Sequence, residues 1–104
     1  MNLSELLIEA QKMRGEMQRV QDSLATKTVE GTAGGGMVKV TANGKHQITK
    51  VEIDQEAWKL NDREMIQDLV LAGVNQALKG SQDMMAEEMK KMAGGLGPLA
   101  SLLK

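Results

Sequence analysis

The residues that could do bond-making chemistry are few and scattered. His46 is the only histidine in 104 residues, and there is no cysteine. A metal site needs several imidazole, thiolate or carboxylate ligands converging on one point, and a nucleophile needs a base beside it. His46 has no second His and no Ser or Cys nucleophile pattern around it, so it reads as a surface histidine. Asp54, Glu56 and Asp62 are close in sequence, but they bracket a connector and cap a helix. Acid–base carboxylates need contrasting environments in a cleft. Gly31, Gly34, Gly35 and Gly36 raise the question of phosphate cradling. A P-loop, however, ends in Gly-Lys-Ser/Thr and enters a helix, whereas this loop enters a strand and reads as a hairpin connection. The sequence argues for a non-enzyme with no metal, no cofactor and no small-molecule substrate.

What remains is charge. Glu9, Lys12, Glu16 and Arg19 follow one another at three- and four-residue spacing. The plainer reading is a ladder of surface ion pairs. The functional reading is that Lys12, Arg14 and Arg19 reach phosphates. Lys90 and Lys91 sit in the last turn of a long helical pattern, where the helix dipole alone would account for them. Net charge is −1 and the pI about 5.8. That weighs against a strongly basic nucleic-acid binder, but phosphate contacts depend on local clusters rather than on the total. Trp58 is the single aromatic residue, which excludes sheets that stack bases on aromatic rings.

The elements that must position these side chains are legible in the hydrophobic pattern. Leu3, Leu6, Ala10, Met13, Met17, Val20 and Leu24 repeat at alternating spacings of three and four, a heptad. They predict a helix over about 3–24, opened by an Asn2–Glu5 capping box and packed on another helix along its seam. Three strands follow, over about 26–31, 37–43 and 45–54. Val38, Val40 and Ala42 alternate with polar residues, and Asn43-Gly44 suits a tight hairpin turn. Val51 and Ile53 share one parity and Ile48 has the other, which predicts a bulge near Thr49-Lys50. Trp58, in the connector 55–60, is expected to plug the junction between sheet and helix. A second helix is expected over about 62–93, capped by Asn61 with Glu64, with a soft point at Gly80-Ser81. Met84, Met85, Met89 and Met92 form its late apolar face, for pairing with the first helix or for adaptable binding. Residues 1–93 thus form one α+β domain, and 94–104 a flexible tail.

The order is α-β-β-β-α: a three-stranded antiparallel sheet with two long helices forming a projecting arm. The apolar band from Ile66 to Leu78 exceeds what so small a sheet can cover, and the sheet has two open edges. A twofold homodimer removes both liabilities, with Val38, Val40, Ile66, Leu69, Val70 and Val74 as the expected interface. Absence of cysteine favours a reducing cytoplasm. No stretch approaches the roughly 20 apolar residues of a membrane span, and the mixed polar face of the first helix argues against membrane-surface binding.

Three stretches then stand together: AQKMRGEMQRVQ, GTAGGGMVKVTANGKHQITKVEID and REMIQDLVLAGVNQALK. In this order they resemble the YbaB/EbfC family of bacterial nucleoid-associated proteins, over nearly the whole chain to about Met92. The resemblance implies a cytoplasmic, nucleoid-located, tweezer-like homodimer that binds duplex DNA and influences nucleoid organisation and gene expression. Gly73 and Gln76 depart from the family pattern, where an Ala and an acidic residue are expected. For DNA contact the candidates are Lys12, Arg14, Arg19, Lys79, Lys90 and Lys91, acting mainly on phosphates. The alternative is a protein-binding, holdase-like module that uses its methionine-rich arms.

Overall fold

The computed structural model describes residues 2–94. Along the chain run α1 (Leu3–Thr26), β1 (Thr28–Ala33), β2 (Val38–Asn43), β3 (Ile48–Ile53), a short α2 (Gln55–Lys59) and α3 (Arg63–Gly94). The three strands form one antiparallel sheet in the order β1-β2-β3. The expected tail lies, from residue 95 onward, outside the described residues. The fold class matches the sequence pattern, with two additions: Gly34–Gly36 form a 3-10 turn between β1 and β2, and the connector after β3 holds the single-turn helix α2, which had no periodic signal of its own.

The core lies between one face of the sheet and the first half of α3. Val38, Val40 and Ala42 alternate onto that face and are fully buried with Ala77 of α3, and Val29, Ile53, Leu69, Val70 and Val74 pack around them. Small residues let α3 lie almost on the backbone of the sheet. A Cβ on Gly31 would strike the Gly73 carbonyl and the Ala77 nitrogen. One on Gly80 would come within 2.5 Å of Val29 Cγ2. Gly80-Ser81 is therefore not a hinge. Helix α3 runs unbroken through it, and the fully buried Ser81 hydroxyl donates to the Asn43 carbonyl at 2.7 Å and accepts from the His46 N–H at 3.0 Å. Gln76 also has a place: its side-chain oxygen accepts from the Thr32 N–H and ties edge strand β1 to the helix.

The bulge falls where the parity demanded it. Thr41 pairs with Lys50 and Ala42 with Ile48, which leaves Thr49 as the extra residue. Directly opposed residues of an antiparallel pair share a face. Ile48, Val51 and Ile53 thus lie on the same side as Ala42, Val40 and Val38. Helix α3, however, rests chiefly on β1 and β2. Ile48 and Val51 are left 37% and 44% exposed along the outer edge.

Three local expectations are corrected. The β2–β3 connection is longer than a two-residue Asn-Gly turn. Asn43 Oδ1 accepts from the N–H groups of Lys45 and Gln47, and the positive φ (66°) belongs to His46. Gly44 is needed for another reason: a Cβ there would sit 2.7 Å from Leu24 Cδ2. Trp58 is no plug, being 58% exposed; Ala57 is the buried residue of α2. Asp62, not Asn61, caps α3, accepting from the Met65 N–H at 3.0 Å, while Asn61 turns the chain at φ 50°.

The two long helices make the molecule elongated, 68 × 23 × 16 Å. The Asn2–Glu5 capping box is formed at the start of α1. From α1 to α3 the pairing is antiparallel: Leu24 and Val20 lie with Met85 and Met89, and Met13 and Met17 with Met92. The heptad seam is covered only near its end. Leu24 is buried and Val20 half-buried, but Leu3, Leu6, Leu7 and Ile8 are exposed, Leu3 to 72%. Lys91 and Met92, in the last described turns of α3, share a groove with α1 residues from Glu9 to Arg19.

Candidate nucleic-acid interface

Lys12 and Arg19 are seven residues apart on α1, hence on one face two turns apart. Lys91 is in the last described turns of α3. Antiparallel pairing brings all three to the rim of one open groove of about 600 Å³, with Glu9, Glu16, Met13, Met17 and Met92 as further lining. The cations are not idle. Lys12 Nζ is 3.6 Å from Glu9, Arg19 2.8 Å from Glu16, and Lys91 3.6 Å from Glu88. The ion-pair ladder read from the sequence is therefore present. The Lys12 and Arg19 pairs are exposed on both sides and worth about 0.3–0.5 kcal/mol each, so an approaching phosphate can displace their carboxylates at small cost.

The other three candidates stand apart. Lys79 lies 12 residues before Lys91, about 18 Å back along α3, and pairs with Asp83 at 3.4 Å. Arg14 and Lys90 are exposed but do not line the groove, and form no ion pair among the described residues.

Two cations that sequence reasoning passed over shape the base of the arm. Lys27 Nζ bridges to Glu88 at 2.7 Å, tying the end of α1 to α3. The Glu88 side chain is only 15% exposed. The hydrogen bond from Lys27, aided by the charges of Lys27 and Lys91, holds its carboxyl below the ordinary carboxylate value. Lys45 lines a second groove of about 310 Å³ with Met17, Val20, Gln21, Leu24, Met85, Met89 and Met92. No local spacing rule marks a contact between positions 61 residues apart, such as Lys27–Glu88. On the sheet surface away from α3, Lys50 and Glu52 pair at 2.8 Å, which raises the lysine's pKa and lowers the carboxylate's.

Val38, Val40 and Ile66, expected at a dimer interface, are buried within the protomer, the two valines completely. They have essentially no surface to offer a second chain. Alternation in β2 revealed a covered face, and the cover is α3 of the same protomer. Leu69, Val70 and Val74 are half-buried around that core. The sheet's apolar side chains that stay open on this side are Ile48 and Val51, neither of them among the expected interface residues.

Among the described residues, no three His, Cys, Asp or Glu side chains are grouped to hold a metal ion. No described helix is long and apolar enough to cross a membrane. His46 is exposed.

The fold and groove define a class: a small sheet carrying a two-helix arm with cations gathered along its outer groove. The chain belongs to the YbaB/EbfC DNA-binding family, whose model matches residues 1–96. A nucleoid-associated protein of Pelotomaculum thermopropionicum is 50% identical over 95 residues, 91% of this chain and 90% of that one. One from Acetivibrio thermocellus is 46% identical over 101 residues, 97% of this chain and 89% of its own length. In structure, the chain resembles an uncharacterized protein of Helicobacter pylori, HP0035, with a TM-score of 0.74 at 25% identity. That match covers 92% of this chain and 97% of the other.

Proposed function

We propose that this chain is a nucleoid-associated protein that binds duplex DNA as a homodimer, mainly through phosphate contacts, and so affects nucleoid organisation and gene expression. Its place would be the cytoplasmic nucleoid. The observation that carries the reading is the meeting of Lys12, Arg19 and Lys91, from two helices, on one open groove. Lys12 and Arg19 are held only by weak, exposed carboxylate pairs, and Lys91 stands 3.6 Å from Glu88, whose 2.7 Å partner is Lys27. Family membership supports DNA as the partner. With an acidic pI, the contacts must come from this local cluster.

Homodimer formation is supported by Ile48 and Val51, which are apolar and open on the edge strand β3. A second copy covering them would remove both an exposed apolar strip and an unpaired strand edge.

The methionine-lined groove favours a second reading, capture of apolar polypeptide segments. Salt separates the two. Affinity for a random-sequence duplex should fall steeply as salt rises, whereas thioether-driven capture of an apolar peptide persists or strengthens. Tight, salt-insensitive peptide binding with no binding to DNA at low salt would replace the first reading by the second.

A further inference from the structure

The seam between α1 and α3 changes character along its length. At its base it contains Leu24 and Val20. Outward of Val20, every large apolar side chain lining the two grooves among the described residues is a methionine: Met13, Met17, Met89 and Met92. Met17, which lines both grooves, is 46% exposed, and Met89 is 45% exposed. The outer part of the arm is therefore held by thioethers that solvent-borne oxidants can reach. The chain has no cysteine to react first.

We propose that Met17 and Met89 form a reversible oxidation site whose modification by a hydroperoxide unlatches α1 from α3. The thioether sulfur attacks the terminal peroxide oxygen. An S–O bond forms, the O–O bond breaks, and the leaving oxygen departs as water or an alcohol once protonated. Sulfur loses two electrons and the peroxide gains them. A dithiol reductant reverses the step, giving back the thioether with one water and one disulfide.

Oxidation turns a flexible apolar side chain into a polar one. The seam side of Met17 and Met89 is poor at receiving it, whereas solvent and, around Met17, the cations Lys12, Arg19 and Lys91 of the outer groove can hydrogen-bond the new oxygen. Leu24, Val20, Met85 and Met92 offer no donor, and Gln21 and Lys45 are the polar side chains lining the inner groove. A sulfoxide drawn out to solvent and to those cations gives up its apolar contact with the seam, which favours separation of the helices. The Lys27–Glu88 pair at 2.7 Å contains no thioether, so it stays as the pivot at the base. Opening would part Lys12 and Arg19 from Lys91, so loss of DNA affinity follows; that last consequence alone rests on the reading given under the proposed function.

The test uses spin labels on Gln11→Cys and Glu87→Cys, two exposed positions in an otherwise cysteine-free chain. Labelled protein is diluted into excess unlabelled protein, so that distances within one protomer are read. Limited hydrogen peroxide is added, and peptide mass mapping reports which methionines carry oxygen. Met17 and Met89 are expected to oxidise before half-buried Met37 and Met65, and the inter-label distance to lengthen. Methionine sulfoxide reductases should restore it. In Met17→Leu/Met89→Leu, which keeps the seam apolar, the distance should not respond to peroxide. An unchanged distance with both methionines fully oxidised, or lengthening that persists in the double leucine variant, overturns the proposal. DNA affinity is measured in parallel. Lengthening without any DNA binding before oxidation would leave this inference standing and remove the functional reading.

Discussion

Gly31 of β1 lies against Gly73 of α3 with no room for a side chain between them: a Cβ on Gly31 would meet the Gly73 carbonyl oxygen and stand 2.5 Å from the Ala77 nitrogen. Backbone meets backbone at this point, so the neighbour cannot swing away as a flexible side chain could. Gly31→Ala is expected to destabilise by about 1–3 kcal/mol, the range for forcing a methyl group into a packed core. Gly15, on the open face of α1, is surrounded by free space: a Cβ there would have nothing within 4 Å. At that position the same change should stabilise by up to about 1 kcal/mol through helix propensity. Urea unfolding of both variants checks the opposite signs.

Ser81 gives a second stability prediction. Its buried hydroxyl is the link from α3 to the β2–β3 turn, donating to the Asn43 carbonyl and accepting from the His46 N–H. Ser81→Ala should cost about 1–2 kcal/mol, the lower part of the range for an orphaned buried group. The low figure reflects the His46 N–H, which keeps a bond to the Asn43 carbonyl at 3.3 Å. Thermal unfolding, followed by circular dichroism, measures it.

Much of this architecture was legible in the sequence because its signals are local. The heptad gave α1, and alternation in VKVTA gave β2. The clash of parity between Ile48 and Val51 gave the bulge at Thr49. What failed depended on tertiary neighbours. Alternation says that Val38 and Val40 face something, not whether that something is α3 or a second chain. Asn43-Gly44 looks like a turn made for positive φ, but Gly44 is dictated by Leu24, far back at the end of α1. The heptad promised a full seam, and α3 covers only its final turns. At the candidate interface, charge spacing gave Lys12 and Arg19. Their meeting with Lys91 depends on how far α3 runs past the sheet, which no spacing on α1 encodes.

Glu88 should make part of the arm's stability depend on pH. Its folded-state carboxyl titrates below its ordinary value because Lys27 hydrogen-bonds it. A depressed carboxylate stabilises above the unfolded-state pKa, and that contribution fades as pH falls through the folded-state value. Glu88→Gln is therefore expected to unfold at lower temperature than the parent near pH 7, with the gap closing as pH falls through the folded-state pKa of Glu88. Paired thermal scans across that range provide the check, and an undiminished gap at acid pH would count against the Lys27 tie.

The dimer reading separates two valines on adjacent strands. Val51→Lys places a charge on an open strip and should leave the protomer folded while preventing self-association. Val38→Lys places it in the fully buried core and should unfold the chain. Sedimentation velocity with circular dichroism distinguishes these outcomes. A folded Val51→Lys protein that remains dimeric would move the interface elsewhere.

The central claim is that Lys12, Arg19 and Lys91 act together on DNA phosphates, and the salt dependence of binding measures this most directly. Affinity for a random-sequence duplex is determined over a salt series for the parent and for Lys12→Gln/Arg19→Gln/Lys91→Gln. Each phosphate contact contributes about −0.9 to the slope of log affinity against log salt. A steep parent slope is expected, with a variant slope shallower by about 3 for every protomer engaged. Equal slopes and equal affinities in a folded variant would contradict it.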